Sequence, residues 1–148
     1  MNLAEYMKEE LVFLNLKADN KTDLFKRIVD SMAECKLIEK PADFLDELIQ
    51  RESKASTFIG RGIALPHTRT LCVDRPIIAF ARLNSPISFS QNPKDTVQLV
   101  FLMGTPKADP NTYLKILADL CTQLRNNAFR DELLQAVEQQ QVLKLLSN

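Results

Sequence analysis

Three observations predict an α/β fold, a mixed β-sheet flanked by α-helices, in a single domain spanning residues 1–148. Two short runs, Pro76–Leu83 and Val97–Met103, are dense in strand-favouring apolar residues, the second almost continuously, as expected of a sheet's buried centre. Apolar residues recur at helical spacing on either side of those runs. The two kinds of segment interleave with no repeat, low-complexity tract or long linker between them.

Leu11-Val-Phe-Leu-Asn-Leu16 reads as a first strand, and Asn20-Lys-Thr22 offers a turn with capping chemistry for the start of a helix. From Thr22, Leu24, Phe25, Ile28, Val29 and Met32 line one face of a helix that fades near Cys35. Pro41 suits the first turn of a second helix, where its missing N–H costs nothing. Phe44, Leu45, Leu48 and Ile49 form that helix's stripe, and Arg51 and Glu52 fall at its end. Ser53–Arg75 has no sustained period and holds Gly60, Gly62 and the kinking pair Pro66-His67, which indicates loops and short strands. The Pro, Asn and Ser residues between Leu83 and Val97 predict a loop. Asp109-Pro-Asn-Thr112 introduces a strong helix with Leu114, Leu117, Ala118, Cys121 and Leu124 as its stripe. Leu133-Leu134 and Val142–Leu146 predict further short helices.

Composition excludes several function classes. The chain has the size of one domain and a globular balance of 45% hydrophobic and 26% charged residues, so disorder is not expected. Nineteen basic residues offset nineteen acidic ones, leaving no overall positive field to recruit nucleic acid or anionic lipid. No apolar run approaches the roughly 20 residues needed to span a bilayer. Met1–Glu10 lacks the regions of a signal peptide, so a cytoplasmic location without membrane insertion is expected. Cys35, Cys72 and Cys121 are far apart and lack Cys-x-x-Cys spacing. With one histidine in the chain, buried free thiols are expected rather than a metal site.

His67, the only histidine, is the candidate for chemistry. Imidazole titrates near pH 6.5 and so offers a nucleophilic lone pair at neutral pH. A lone histidine is more often a surface or hydrogen-bonded core residue; its neighbours change that reading. Gly60 and Gly62 let the backbone approach a ligand, and Pro66 sets the chain direction before the imidazole, a pattern expected of a presentation loop. Arg51, Arg61 and Arg69 bracket the segment, and guanidinium holds phosphate or carboxylate by paired hydrogen bonds. Taken singly, Arg61 and Arg69 read as solvated charges. Gly60-x-Gly62 lacks the third glycine of a dinucleotide loop, and no serine or cysteine can be paired with His67 for hydrolysis from spacing alone.

Arg51-Glu52, followed by Thr57-x-Ile59-Gly60-x-Gly62-Ile63-Ala64-Leu65-Pro66-His67, closely resembles the phosphorylation-site signature of the fructose/mannitol-type IIA proteins of the bacterial phosphotransferase system. The order of elements and the chain length resemble its nitrogen-regulatory branch. The resemblance implies that His67 accepts a phosphoryl group from the histidine-phosphorylated phosphocarrier protein, with neither cofactor nor metal. It further implies that Arg51 binds the incoming group, while loop N–H groups and Thr57 help neutralise its oxygens. A regulatory target or a sugar permease domain would be the downstream partner, the former favoured by a chain with no fused sugar-binding domain or membrane segment.

Two positions depart from the pattern. Tyr113, in Tyr113-Leu-Lys-Ile-Leu117, stands where the family carries a second active-site histidine. A phenol remains a hydrogen-bond donor but does not become a cation near neutral pH. Thr68 replaces the glycine that usually follows the phosphorylated histidine, placing bulk and a hydroxyl beside the ring. The alternative reading is therefore a phosphate-independent protein-binding module of the same fold.

Overall fold

The computed structural model describes residues 1–147. Two short 3-10 turns, Leu3–Tyr6 and Glu9–Leu11, lead into β1 (Val12–Leu16), α1 (Lys21–Glu34) and α2 (Pro41–Lys54). Then come β2 (Phe58–Gly60), β3 (Ile63–Ala64), β4 (His67–Thr70), β5 (Ile77–Ser88) and β6 (Thr96–Pro106). The helices α3 (Pro110–Leu124), α4 (Asn127–Gln135) and α5 (Gln139–Leu145) complete the chain's described elements. Strand order in the sheet is β1-β5-β6-β3-β2, with β4 also paired to β6. β1 runs parallel to β5, β5 antiparallel to β6, and β3 and β4 both parallel to β6, so the sheet is mixed as the sequence predicts.

Alternation along β6 explains the three layers. Val100 and Leu102 enter the core formed with α1 and α2, through Leu24, Phe25, Ile28, Phe44 and Leu48. Leu99, Phe101 and Met103 enter the opposite core, formed with Ile116, Leu120 and Leu124 of α3, Leu133 of α4 and Val142 of α5. A strand covered on both faces must be apolar at successive positions, which is why Val97–Met103 carries so few polar side chains. Phe80 of β5 lies across from Phe101 with ring centroids 5.0 Å apart, a tilted aromatic pair at the sheet's centre. Helix starts are set by local chemistry. The Asn20 side chain accepts the Asp23 N–H, Pro41 opens α2, and Asp109 accepts the Thr112 N–H ahead of α3.

Four expectations are corrected. β5 continues past Leu83 to Ser88, and a register shift between Arg82 and Ile87 absorbs Asn84-Ser85-Pro86 where a loop was expected. The buried stripe of α3 is Ile116, Leu120 and Leu124, and Leu114 is exposed. Pro66-His67 is no kink: the Pro66 carbonyl accepts the Met103 N–H at 2.9 Å and His67 opens β4. Of the cysteines, all free thiols, only Cys72 is buried; Cys35 and Cys121 are half-buried.

β4 is held at close quarters to α2. Gly104 of β6 pairs with Thr68, and a Cβ there would meet Phe44 Cε1 and Cζ at 2.8 and 2.9 Å. Phe44 is fully buried and cannot withdraw. Gly104→Ala is therefore expected to cost about 1–3 kcal/mol by overpacking, read as a lowered urea midpoint with unchanged m-value.

Candidate functional site

His67 sits at the start of β4, beside Met103 of β6, so its ring projects to the sheet face covered by α3. Tyr113, in the first turns of α3, meets it there. Tyr113 Oη lies 3.1 Å from His67 Nε2, and the ring centroids are 5.5 Å apart. On the other side of the imidazole, Nδ1 lies 2.7 Å from the Leu65 carbonyl oxygen. A carbonyl only accepts, so Nδ1 carries the proton and Nε2 is the acceptor for the Tyr113 hydroxyl. The lone pair that can act as a nucleophile is thus on Nε2. The Arg69 guanidinium lies 5.9 Å from the Tyr113 ring centroid and donates to the Lys107 carbonyl at 3.2 Å. That places cationic charge beside the phenol.

Arg51 lies in the last turn of α2 and donates to the Ala55 carbonyl at 3.0 Å. Its neighbour Glu52 is buried. Glu52 accepts the Thr57 hydroxyl at 2.6 Å and the Thr57 N–H at 2.8 Å, and its second oxygen also meets the Lys21 ammonium at 3.3 Å. Burial holds the His67 imidazole below its ordinary protonation range. The hydrogen bond to Leu65 opposes that shift, the Arg51 charge adds to it, and the Glu52 charge opposes it. His67 is therefore neutral at neutral pH, the state a nucleophile requires.

The expected site residues divide into groups. His67 and Tyr113 are in direct contact, and Arg51 acts on the imidazole through its charge. Thr57 has both its donors engaged by Glu52 and turns neither toward the imidazole. The glycines do not cradle the imidazole either. Gly60, Arg61 and Gly62 all have positive φ (89°, 57° and 75°) and make the turn between β2 and β3. The Gly62 carbonyl accepts from Gln98 and Leu99, whereas His67 pairs with Met103, four or five residues further along β6. That separation is roughly 13–17 Å at about 3.3 Å per residue. Arg61 goes with the turn, its guanidinium reaching the Arg125 carbonyl at 3.5 Å. Thr68 lies beside Gly104 on the opposite sheet face and its hydroxyl donates to the Arg69 carbonyl, so it does not crowd the ring. Sequence reasoning missed the Leu65 carbonyl, which no side-chain motif announces, and gave no role to Glu52, whose place beside Arg51 was visible.

A family model described as "Phosphoenolpyruvate-dependent sugar phosphotransferase system, EIIA 2" matches residues 5–148, nearly the whole chain. The chain belongs to the EIIA 2 family. Among relatives, it is 30% identical over 138 residues to the fructose-specific EIIA component of Haloferax volcanii, covering 93% of this chain and 90% of that protein. It is 26% identical over 147 residues to the fructose-specific EIIABC component of Bacillus subtilis, of which it spans 23%. The nitrogen regulatory protein IIA-Ntr of Neisseria meningitidis superposes with a TM-score of 0.89 at 25% identity, covering 97% of this chain and 98% of that one. The mannitol IIA of Escherichia coli superposes with a TM-score of 0.80 at 21% identity, over 94% and 97% of the two chains. This EIIA 2 chain thus shares its fold with regulatory and sugar-specific members alike. Among the described residues no helix is long and apolar enough to cross a membrane, and no group of three His, Cys, Asp or Glu side chains could hold a metal ion.

An imidazole held below about 6.5 binds fewer protons than the same histidine in the unfolded chain, between the folded value and 6.5. Stability should therefore fall as pH drops through that window, level off below it, and be free of this slope above it. The Asp23 and Asp109 carboxyls, lowered by hydrogen bonds from Asp19 and Thr112 respectively, titrate in a more acid range. Urea unfolding at stepped pH is expected to show a slope in wild type that disappears in His67→Asn.

Proposed function

We propose that this EIIA 2 chain is a phosphoryl carrier that accepts the group on His67 Nε2 from the histidine-phosphorylated phosphocarrier protein. The observation that carries the reading is the fixed tautomer: Nδ1 donates to Leu65, leaving a half-buried Nε2 lone pair turned toward a hydroxyl donor. Nε2 attacks the phosphorus, the donor's N–P bond breaks in line, and the electron pair returns to the donor imidazole, so no proton need be exchanged with solvent. Such a loose transition state asks the protein for position and positive charge. Arg51 supplies charge near the imidazole, and Tyr113 must leave Nε2 as the N–P bond forms, after which its hydroxyl can donate to a phosphoryl oxygen.

The output of this reading is regulatory: a partner senses whether His67 carries the phosphoryl group. The 0.89 superposition on the nitrogen regulatory protein supports that branch. Transfer onward to a sugar permease domain is the second reading, favoured by the fructose-specific name of the relative matched over 90% of its length. Either output places the chain in the cytoplasm with the phosphocarrier. The phosphate-independent module draws its support from the Tyr113 hydroxyl already seated on Nε2.

Incubation with phosphoenolpyruvate, the system's first enzyme and its phosphocarrier, followed by intact mass measurement, tests the reading. One acid-labile phosphoryl adduct is expected on wild type and on Tyr113→His, and none on His67→Ala. An adduct on Tyr113→His alone would assign wild type to the phosphate-independent module.

A further inference from the structure

Glu52 is 6% exposed and takes no part in the transfer described above. Its hydrogen bonds nevertheless lead to the imidazole. Oε1 accepts the Thr57 hydroxyl at 2.6 Å and Oε2 accepts the Thr57 N–H at 2.8 Å, so Thr57 is gripped at both donors. The Thr57 carbonyl then accepts the Leu65 N–H at 3.0 Å. The Leu65 carbonyl accepts His67 Nδ1–H at 2.7 Å. Leu65 precedes a proline, which has no N–H of its own to anchor the intervening peptide. The Leu65 carbonyl is therefore aimed by two fixed points, Thr57 before it and the Pro66–Met103 hydrogen bond after it.

We propose that Glu52 is a positioning residue for His67: by clamping Thr57 it aims the Leu65 carbonyl, and that carbonyl holds the ring in the tautomer with Nε2 unprotonated. The carboxylate suits this task because it presents only acceptors, and Thr57 presents two donors to it. A glutamine in its place turns an NH2 group toward one of those donors and loses one bond of the pair. Glu52 has a second link, to Lys21 of α1, whose ammonium also reaches the Phe89 carbonyl at 2.8 Å. That link ties α2 to α1 and offers a control, since Lys21→Met cuts it while leaving both Thr57 bonds in place. The Glu52 charge by itself favours the imidazolium, against the Arg51 charge and against burial, so the positioning role rests on the hydrogen-bond path through Thr57 and Leu65 and not on that charge.

The tautomer is read by imidazole 15N shifts across a pH titration, with thermal unfolding of each variant alongside. Glu52→Gln and Thr57→Val are expected to move His67 from Nδ1–H toward a mixture of tautomers. Thr57→Ser, which restores the hydroxyl, and Lys21→Met are expected to keep the wild-type tautomer. In Glu52→Gln the imidazole pKa should fall further, because an anion that favours the charged ring has been removed. The initial rate of phosphorylation should drop by roughly ten- to a hundred-fold, the scale of a misplaced reacting group. Only this rate measurement rests on the carrier reading; a shifted tautomer with no phosphorylation of any variant would uphold the positioning role and reject the carrier. Wild-type tautomer and pKa in both Glu52→Gln and Thr57→Val would overturn the proposal. So would an equal tautomer change in Lys21→Met, which would make the effect one of lost stability.

Discussion

The Leu65 carbonyl oxygen stands 2.7 Å from His67 Nδ1, and the site depends on that contact. It decides which ring nitrogen keeps its lone pair, and the backbone that provides it is positioned by the sheet. β3 and β4 both run parallel to β6, one after the other along the same edge, with Leu65-Pro66 as the step between them. Leu65 is itself buried in the core beneath α3, α4 and α5. Its side chain is therefore held by packing and its N–H by Thr57. A ring hydrogen-bonded to so constrained a carbonyl loses little further freedom on reaction, which is how rigid support lowers the cost of a group transfer.

Tyr113 gives this member of the family a different electrostatic setting from one with a second histidine. A neutral phenol donates one hydrogen bond to Nε2 and adds no charge of its own. Fixed positive charge comes instead from Arg51, near the imidazole, and from Arg69, which stacks toward the phenol. Guanidinium stays protonated at every physiological pH. A site using these charges would keep its attraction for phosphate where a histidine pair would lose it, at the expense of a hydroxyl that must move off the nucleophile first.

Much of the architecture was legible because it rests on periodicity. The α1 stripe of Leu24, Phe25, Ile28, Val29 and Met32 is buried as its spacing predicts, and the apolar run of β6 is covered on both faces. In α3 the period was legible and the phase only in part: Leu124 is buried and Leu117 and Cys121 pack against the core, whereas Leu114 and Ala118 are exposed. The face centres on Ile116 and Leu120, which the expected stripe left out, and they share their core with Phe101 and Met103 of β6. β4, with the polar sequence His-Thr-Arg-Thr, carries no strand signal of its own and exists through its pairing with β6. The glycines were read as letting the backbone approach a ligand beside His67, whereas they form a positive-φ turn; their distance from His67 was invisible because it depends on a pairing with residues more than thirty positions away. His67, Arg51 and Tyr113 were marked by the motif, whereas the roles of Thr57 and Glu52 depend on which donor meets which acceptor.

The site of phosphorylation on the ring is the most direct test of this account. The one-bond 15N–31P coupling, measured on the phosphorylated protein with labelled histidine, marks the phosphorylated nitrogen, and couplings to the ring protons identify it, since Nε2 is two bonds from both Hδ2 and Hε1 and Nδ1 only from Hε1. The fixed tautomer predicts a phosphoryl group on His67 Nε2 with Nδ1 still protonated and bonded to Leu65. A phosphoryl group on Nδ1 would require the Leu65 contact to break before reaction, and would contradict the claim that this contact selects the nucleophile.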